Sequence, residues 1–397
     1  LSWMTLPIEP SCGDISLKRL VIIAPCLAFV MVTPIGLTPS PARADEIVVE
    51  GTDSVIGIHR DELTEDIERA IRKGCIYLRD TQARNGSWMP PDAWDLHERA
   101  QAHGKDERAI SLGSTAVILM GLMYSGANPD SPTVRRGLKL LAENEGPVDL
   151  TYTRGAMCCA FIMADPRHRN RDITKLVEKQ ILWLLKSQEK NRTDLWRYTF
   201  KTNAYDMSCV QFALEALRMA DVHGMQLPKG PLEKARKAIW SYQLQDGGWP
   251  YAGDPNDPEN KSKAAMTAAT VAGLSFLDAV LAEPRRGAIR RDPHIASGLK
   301  ALDKKFDRIL KRTLKQGHGQ HYIYYSIERA GILTGTRFIG GKDWYRTIAK
   351  KVLKEQNKDG SWPSYRAGIA QRNKCLGTGF TLLFLGKGLA PTIVGKL

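Results

Sequence analysis

The sequence predicts an all-α protein built from repeated helical hairpins, and three observations carry that prediction. A seven-residue signature recurs as Gln82-Ala-Arg-Asn-Gly-Ser-Trp88, Gln243-Leu-Gln-Asp-Gly-Gly-Trp249 and Gln356-Asn-Lys-Asp-Gly-Ser-Trp362, with a looser copy from Gln188 to Trp196 that carries two extra residues. Charged amphipathic stretches alternate with stretches of small and apolar residues. No clear period-two run bounded by turn residues marks a strand. Recurrence on this scale is the mark of a repeat architecture.

Taken in order, residues 1–44 differ from the rest. Lys18 and Arg19 precede an apolar run from Leu20 to Leu37, and Ala42-Arg-Ala44 follows. Basic residues, an apolar stretch and a small-x-small end describe a secretory signal peptide cut after Ala44. Pro25, Pro34, Pro39 and Pro41 argue against a stable membrane span there. Residues 45–64 read as a linker, and residues 65–390 as the repeat body.

Six hairpins fit that body. They pair Glu65–Thr81 with Arg108–Tyr124, Thr133–Glu143 with Thr153–Ala164, and Asp172–Ser187 with Asn203–Ala220. The remaining three pair Leu232–Tyr242 with Lys263–Leu281, His294–Leu314 with Tyr322–Ile332, and Asp343–Glu355 with Asn373–Leu385. First helices carry charge, as in Leu232-Glu-Lys-Ala-Arg-Lys-Ala-Ile-Trp-Ser-Tyr242. Second helices are apolar nearly all round, as in Ala264-Ala-Met-Thr-Ala-Ala-Thr-Val-Ala-Gly273, and such a helix is buried. An outer, wetted helix therefore alternates with an inner, buried one. Stacked hairpins of this kind run on as a solenoid or close into a ring, and periodicity alone favours neither.

Each signature joins a helix to its loop. Asn/Asp-Gly after a helical stretch is a stop, because Gly accepts the left-handed backbone conformation. The Gln can bond backbone groups left unpaired at the helix end. The Trp gives the exiting loop a large ring to pack over that end.

The signature, followed by a Thr/Ala-rich helix, resembles the repeat of the prenyltransferase/squalene-cyclase (terpenoid cyclase) superfamily. The resemblance covers nearly the whole body. It implies an α/α toroid of about six hairpins, with inner and outer rings around a central cavity that takes a ligand. It implies no chemistry by itself, since function lives in sites and not in folds. The cyclases of that superfamily protonate an alkene with an Asp-x-Asp-Asp motif, which this chain lacks; its nearest stretch, Asp254-Pro-Asn-Asp257, reads as a solvated turn. Zinc-dependent prenyltransferase subunits use Asp, Cys and His at the starts of inner helices. Asp206-Met-Ser-Cys209 resembles part of that site, but the spacing departs and the His is missing.

The densest polar and aromatic cluster is His318-Gly-Gln-His-Tyr-Ile-Tyr-Tyr-Ser-Ile-Glu328-Arg329. His321 and Glu328 share a helical face, as do Tyr324 and Glu328. Glu328, Asp206 and His321 are the candidate acid/base residues, and Glu328 with Asp206 is the candidate carboxylate pair for glycan chemistry. Asn203, Tyr205, Met266, Tyr322 and Tyr324 are the candidate ligand-binding residues, at matching inner-helix starts with Tyr198, Thr267, Arg372, Asn373 and Lys374. If the ring closes, these starts converge on one rim. His-x-x-His spacing alone is a poor basis for a metal site, so no metal and no cofactor is expected.

Composition bounds the partners. The formal net charge is +14 over 397 residues, spread along helical surfaces, which suits anionic partners such as acidic glycans or membrane faces. No nucleic-acid motif is present. Five cysteines lie beyond residue 44, an odd count at wide spacing that does not make a disulfide framework. Past the leader no stretch reads as a membrane span. The expectation is an exported toroid holding a small-molecule, lipid or glycan ligand, either as an enzyme on an isoprenoid, lipid or glycan or as a non-catalytic scaffold.

Overall fold

The computed structural model describes residues 62–88, 107–144, 146, 148–281, 292–315, 319–363 and 374–389. The leader, most of the linker, His318, Arg372 and Asn373 lie outside the described residues.

Twelve described helices form six consecutive pairs. The outer members are α1 (Glu62–Asp80), α3 (Pro132–Glu143), α5 (Arg171–Glu189), α7 (Lys229–Ser241), α9 (Pro293–Leu310) and α11 (Trp344–Lys354). The inner members are α2 (Glu107–Tyr124), α4 (Thr151–Ala164), α6 (Met207–Val222), α8 (Ala264–Leu281), α10 (Gln320–Thr334) and α12 (Lys374–Leu389). Each inner helix packs on the next, and α12 packs on both α10 and α2, so the inner ring closes. The protein is an α/α toroid. Its core is the apolar inner ring, where Ala116, Ile118, Leu119, Cys158, Ala213, Leu217 and Leu274 are shut away from solvent.

Inner helices approach closely because their contact faces are stripped of side chains. A methyl group added at Gly121 would lie 2.5 Å from the Gly379 carbonyl oxygen, and one at Gly155 would lie 2.6 Å from that of Phe212. By length and composition α8 could cross a membrane, contrary to the sequence reading, but it is mostly buried between its inner neighbours α6 and α10 and the outer α7 and α9.

The repeat signature forms the joints of the ring. Trp88, Trp196, Trp249 and Trp362 donate from Nε1 to the carbonyls of Leu78, Leu184, Ile239 and Val352 in the preceding outer helix, at 2.6 to 2.8 Å. The glutamines depart from their expected role. Each Nε2 donates once to its own loop and once across to the next outer helix: Gln82 to Thr133, Gln188 to Pro231, Gln243 to His294, all at 2.8 to 3.0 Å. Gln356 donates to Ala70 in α1 at 2.8 Å and so joins the last outer helix to the first. The Gln is thus a staple between neighbours, not a cap on its own helix. Gly360, at φ +87°, is required twice over, because a side chain there would also strike the Lys73 carbonyl at 2.4 Å. In the longer copy Asp194, at φ +57°, takes the left-handed position.

Two further departures are local. The inner helix expected from Asn203 begins at Met207, because Asp206 caps it and accepts from the Ser208 and Cys209 amides at 2.9 and 3.3 Å. A two-stranded ribbon, β1 (Phe338–Ile339) and β2 (Lys342–Asp343), precedes α11. Gly340 and Gly341, both at positive φ, make its two-residue turn. That Gly-Gly pair was the available signal for a hairpin.

Candidate functional site

All six inner helices point their N-terminal ends to one rim, and there the described residues enclose an open cavity of roughly 1830 Å³. Ile110, Tyr152, Ser208, Met266, Tyr322 and Leu376 enter it from the first turns of α2, α4, α6, α8, α10 and α12. The rim convergence expected of a toroid is therefore present.

An aromatic floor runs across the cavity. Ring centroids of Tyr198 and Tyr152 are 5.8 Å apart, Tyr152 and Phe212 5.1 Å, Phe212 and Tyr322 6.4 Å, and Tyr322 and Phe380 6.2 Å. Tyr322 donates to Gln211 Oε1, and Ser326 donates to the same oxygen at 3.1 Å. Below them Tyr325 and Arg329 bond Glu215. This layer separates the cavity from a second, smaller one of roughly 210 Å³ at the other end of the ring, lined by Gln211, Glu215, Arg218 and Arg329.

Behind the floor lies a hydrogen-bonded chain. Ser208 Oγ donates to Asp206 Oδ1, and Tyr152 and Ser208 share a second hydrogen bond. A serine has one proton, and here it goes to the carboxylate, so Tyr152 is the donor to Ser208. The Tyr152 oxygen keeps its remaining lone pair for an incoming donor. Asp206 Oδ2 is buried, and the Tyr198 and Tyr251 hydroxyls interact with the Asp206 carboxylate. Tyr198 and Tyr251 bond each other, and the Asp206 charge acts on both. Burial first, then that carboxylate, pushes Tyr198 up to about 12 and Tyr251 well above the usual tyrosine range, so both stay protonated.

The walls are cationic. Arg197, Lys261, Lys263, Lys305, Arg308 and Arg312 line the cavity against Asp246 and Asp257. Lys305 bonds Ser262 and pairs with Asp246 at 3.0 Å, which fastens the long loop after Trp249 to α9. Tyr205, its ring tilted against that of Tyr242 with centroids 3.9 Å apart, donates to the Gly253 carbonyl at 2.7 Å and holds the same loop from below. Within that loop Asp254 and Asp257 accept from the Asn256 and Glu259 amides at 2.9 Å, as expected of a turn.

The structure separates the sequence candidates. Met266 and Tyr322 line the cavity. Tyr205 supports its wall from behind, and Asn203 is exposed outside the lining. Tyr324 is buried on another face of α10, with its ring 6.2 Å from Phe384. His321 spans two elements, with Nδ1 2.9 Å from Thr381 Oγ1 and Nε2 2.9 Å from the Pro363 carbonyl. Burial lowers it to about 4. Glu328 is fully buried against Arg329 at 2.6 Å and does not reach the cavity. The expected grouping of Glu328, His321 and Tyr324 at the mouth is corrected: those positions follow the helix into its packed faces. Glu328 and Asp206 do not face one another across the cavity, because Glu328 belongs to the Arg329–Glu215 network and Asp206 caps α6. Sequence reasoning missed Tyr152, Ser208, Phe212 and Phe380, which look like ordinary inner-helix residues until the ring closes. Among the described residues no group of three or more His, Cys, Asp or Glu could hold a metal ion. The cysteines there are buried and form no disulfide among the described residues.

Fold and site together define an α/α toroid with an aromatic-floored, cationic cavity. No protein-family model matches the chain, and neither does any curated protein. Solved structures do. An inactive variant of a GH76 α-1,6-mannanase of Salegentibacter sp. HEL1_6, in complex with α-1,6-mannotetrose, superposes with a TM-score of 0.54 at 8% identity over 81% of this chain and 99% of that one. A possible GH105 member from Salmonella enterica gives 0.56 at 14% identity over 85% and 96%. A polysaccharide lyase gives 0.51 at 13% identity over 83% and 97%. Identities this low speak to the fold alone.

Proposed function

We propose that this protein is an exported toroid that binds a glycan in the rim cavity. The observation that carries the proposal is the floor of Tyr152, Phe212, Tyr322 and Phe380 beneath walls of Arg, Lys, Asn and Asp side chains. Sugar rings present apolar C–H faces that pack on aromatic rings and hydroxyls that need polar partners, and this cavity offers both. An isoprenoid would strip water from the wall charges with nothing in return, at a cost of several kcal/mol, on the order of the burial penalty for unpaired polar groups. The solved toroids with a mannotetrose complex and lyase and hydrolase names lend support by fold. A distant relation to the terpenoid cyclase repeat is compatible with this reading, because the shared signature builds the ring and leaves the cavity free.

Calorimetric titration of the purified protein with a panel of neutral and charged oligosaccharides tests it. At least one class should bind saturably at one site, and Phe380→Ala should weaken that binding by about tenfold. Saturable binding of an isoprenoid alcohol, with no oligosaccharide bound, would replace this reading with the isoprenoid one.

The Tyr152–Ser208–Asp206 chain favours a second reading, in which the bound glycan is also cleaved. A water attacking the sugar's anomeric carbon would pass one proton through Tyr152 and Ser208 to the buried carboxylate, while the glycosidic C–O bond breaks and the released sugar oxygen takes a proton from solvent. Ser208→Ala should then abolish turnover and leave glycan affinity within about twofold, a split diagnostic of a reaction-step role.

A further inference from the structure

The six basic residues lining the cavity do more than face solvent. Lys305 is committed to Asp246 and Ser262. Arg197, Lys261, Lys263, Arg308 and Arg312 have no carboxylate within ion-pair distance among the described residues. They come from three separate segments: the strand of loop before α6, the loop between Trp249 and α8, and the C-terminal end of α9. Arg308 lies one turn beyond Lys305 on the same face of α9, and Arg312 follows just past its end. Asp257 accepts from one backbone amide and, with Asp246, leaves the lining cations in excess. Among the described residues, the open side of the cavity thus holds five cations with no carboxylate in ion-pair distance.

The backbone adds to this field. Six inner helices end at this rim with their N termini, and each N terminus carries partial positive charge. Asp206 offsets one of them. A concave, low-dielectric wall focuses such a field into the cavity. Cations in excess of carboxylates at a glycan site stabilise a negative ligand and do little for a neutral one.

We infer that the glycan taken by this cavity is anionic, with carboxylate or sulfate groups that engage Lys261, Lys263, Arg308 and Arg312 while its sugar rings rest on the aromatic floor. This inference rests on the glycan reading above and specifies its ligand class. The aromatic floor fixes ring position, and the cations on α9 and the loop select charge. Arginine donates to carboxylate and sulfate alike through paired N–H groups, so both chemistries fit the same wall.

The test compares a neutral oligosaccharide, an oligouronate and a sulfated oligosaccharide of equal length, by calorimetry at two salt concentrations. Two variants of the full chain are used. One replaces Lys261, Lys263 and Arg308 by Gln. The other removes the same charge from outer helices far from the cavity by Lys139→Gln, Lys175→Gln and Lys234→Gln. All six side chains are exposed, so both variants keep the fold. The expected result is an anionic glycan bound at least about tenfold tighter than the neutral one, weakened at higher salt, lost in the cavity variant and retained in the outer variant. Preference for the uronate or for the sulfated ligand would identify which anion the wall serves. Equal affinity for neutral and anionic glycans would overturn the inference and leave the glycan reading standing. Equal weakening in both variants would also overturn it, as the mark of general attraction to a basic protein. Failure of every oligosaccharide to bind would overturn both.

Discussion

His321 shows how a residue can look functional and be structural. Its place in a polar cluster suggested chemistry, yet both ring nitrogens are used to tie α10 to α12 and to the loop after Trp362. Burial lowers it to about 4, and His223 is also held at about 4 by burial and by the neighbouring His168. An unfolded histidine titrates near ~6.5. The unfolded chain therefore binds more protons below that pH, and the stabilisation is complete above it and lost as pH falls toward 4. Urea denaturation should show about 2 kcal/mol less stability at pH 5 than at pH 7.5 from His321 alone. His321→Gln should flatten that part of the profile while leaving the smaller contribution of half-exposed His223. An unchanged slope in the variant would mean that other groups carry the acid sensitivity. The chemistry of His321, Glu328 and Tyr324 was legible in the sequence, but their direction was not. Helical spacing says which residues share a face; only packing says which face meets the cavity.

At the scale of elements, the sequence was a good guide to helices and a partial one to joints. All six hairpins appear where amphipathic and apolar stretches alternate, with boundaries moved by caps such as Asp206. The signature glutamine was read as a cap because sequence shows only its own helix. Its second partner lies 43 to 51 residues away in three copies, and 286 residues away for Gln356. The Gln356 joint closes the circle and has its own consequence for stability. Gln356→Ala leaves the Ala70 and Gly360 carbonyls without that donor, at an expected cost of about 2 kcal/mol. Hydrogen exchange should rise first in residues 62–80 of α1, the far side of the joint. A rise confined to α11 would mean that the bond serves its own helix, as the sequence reading had it.

At the scale of the molecule, closure is what periodicity left open, because a solenoid and a ring share one repeat and differ only in the small rotation between neighbours. The resemblance carried by the signature pointed to the ring, and the packing of α12 on both α2 and α10 shows it. An open array loses only its last unit on truncation. This protein should behave otherwise. A chain ending at residue 363 exposes the apolar faces of two inner helices at once, and its thermal melt by circular dichroism should lose its cooperative step. A sharp transition retained by the truncated chain would mean that the ring is a stack with incidental contact between its ends. The layer of Tyr322, Gln211, Tyr325 and Arg329 across the lumen carries a last consequence. Among the described residues that layer gives the ring a mouth and no exit, so a polymer ligand of the kind proposed would not be threaded through it as a strand runs through a sliding clamp. Such a ligand would dock by a terminus or by a bent segment and back out the way it came, each docking event ending before the next begins.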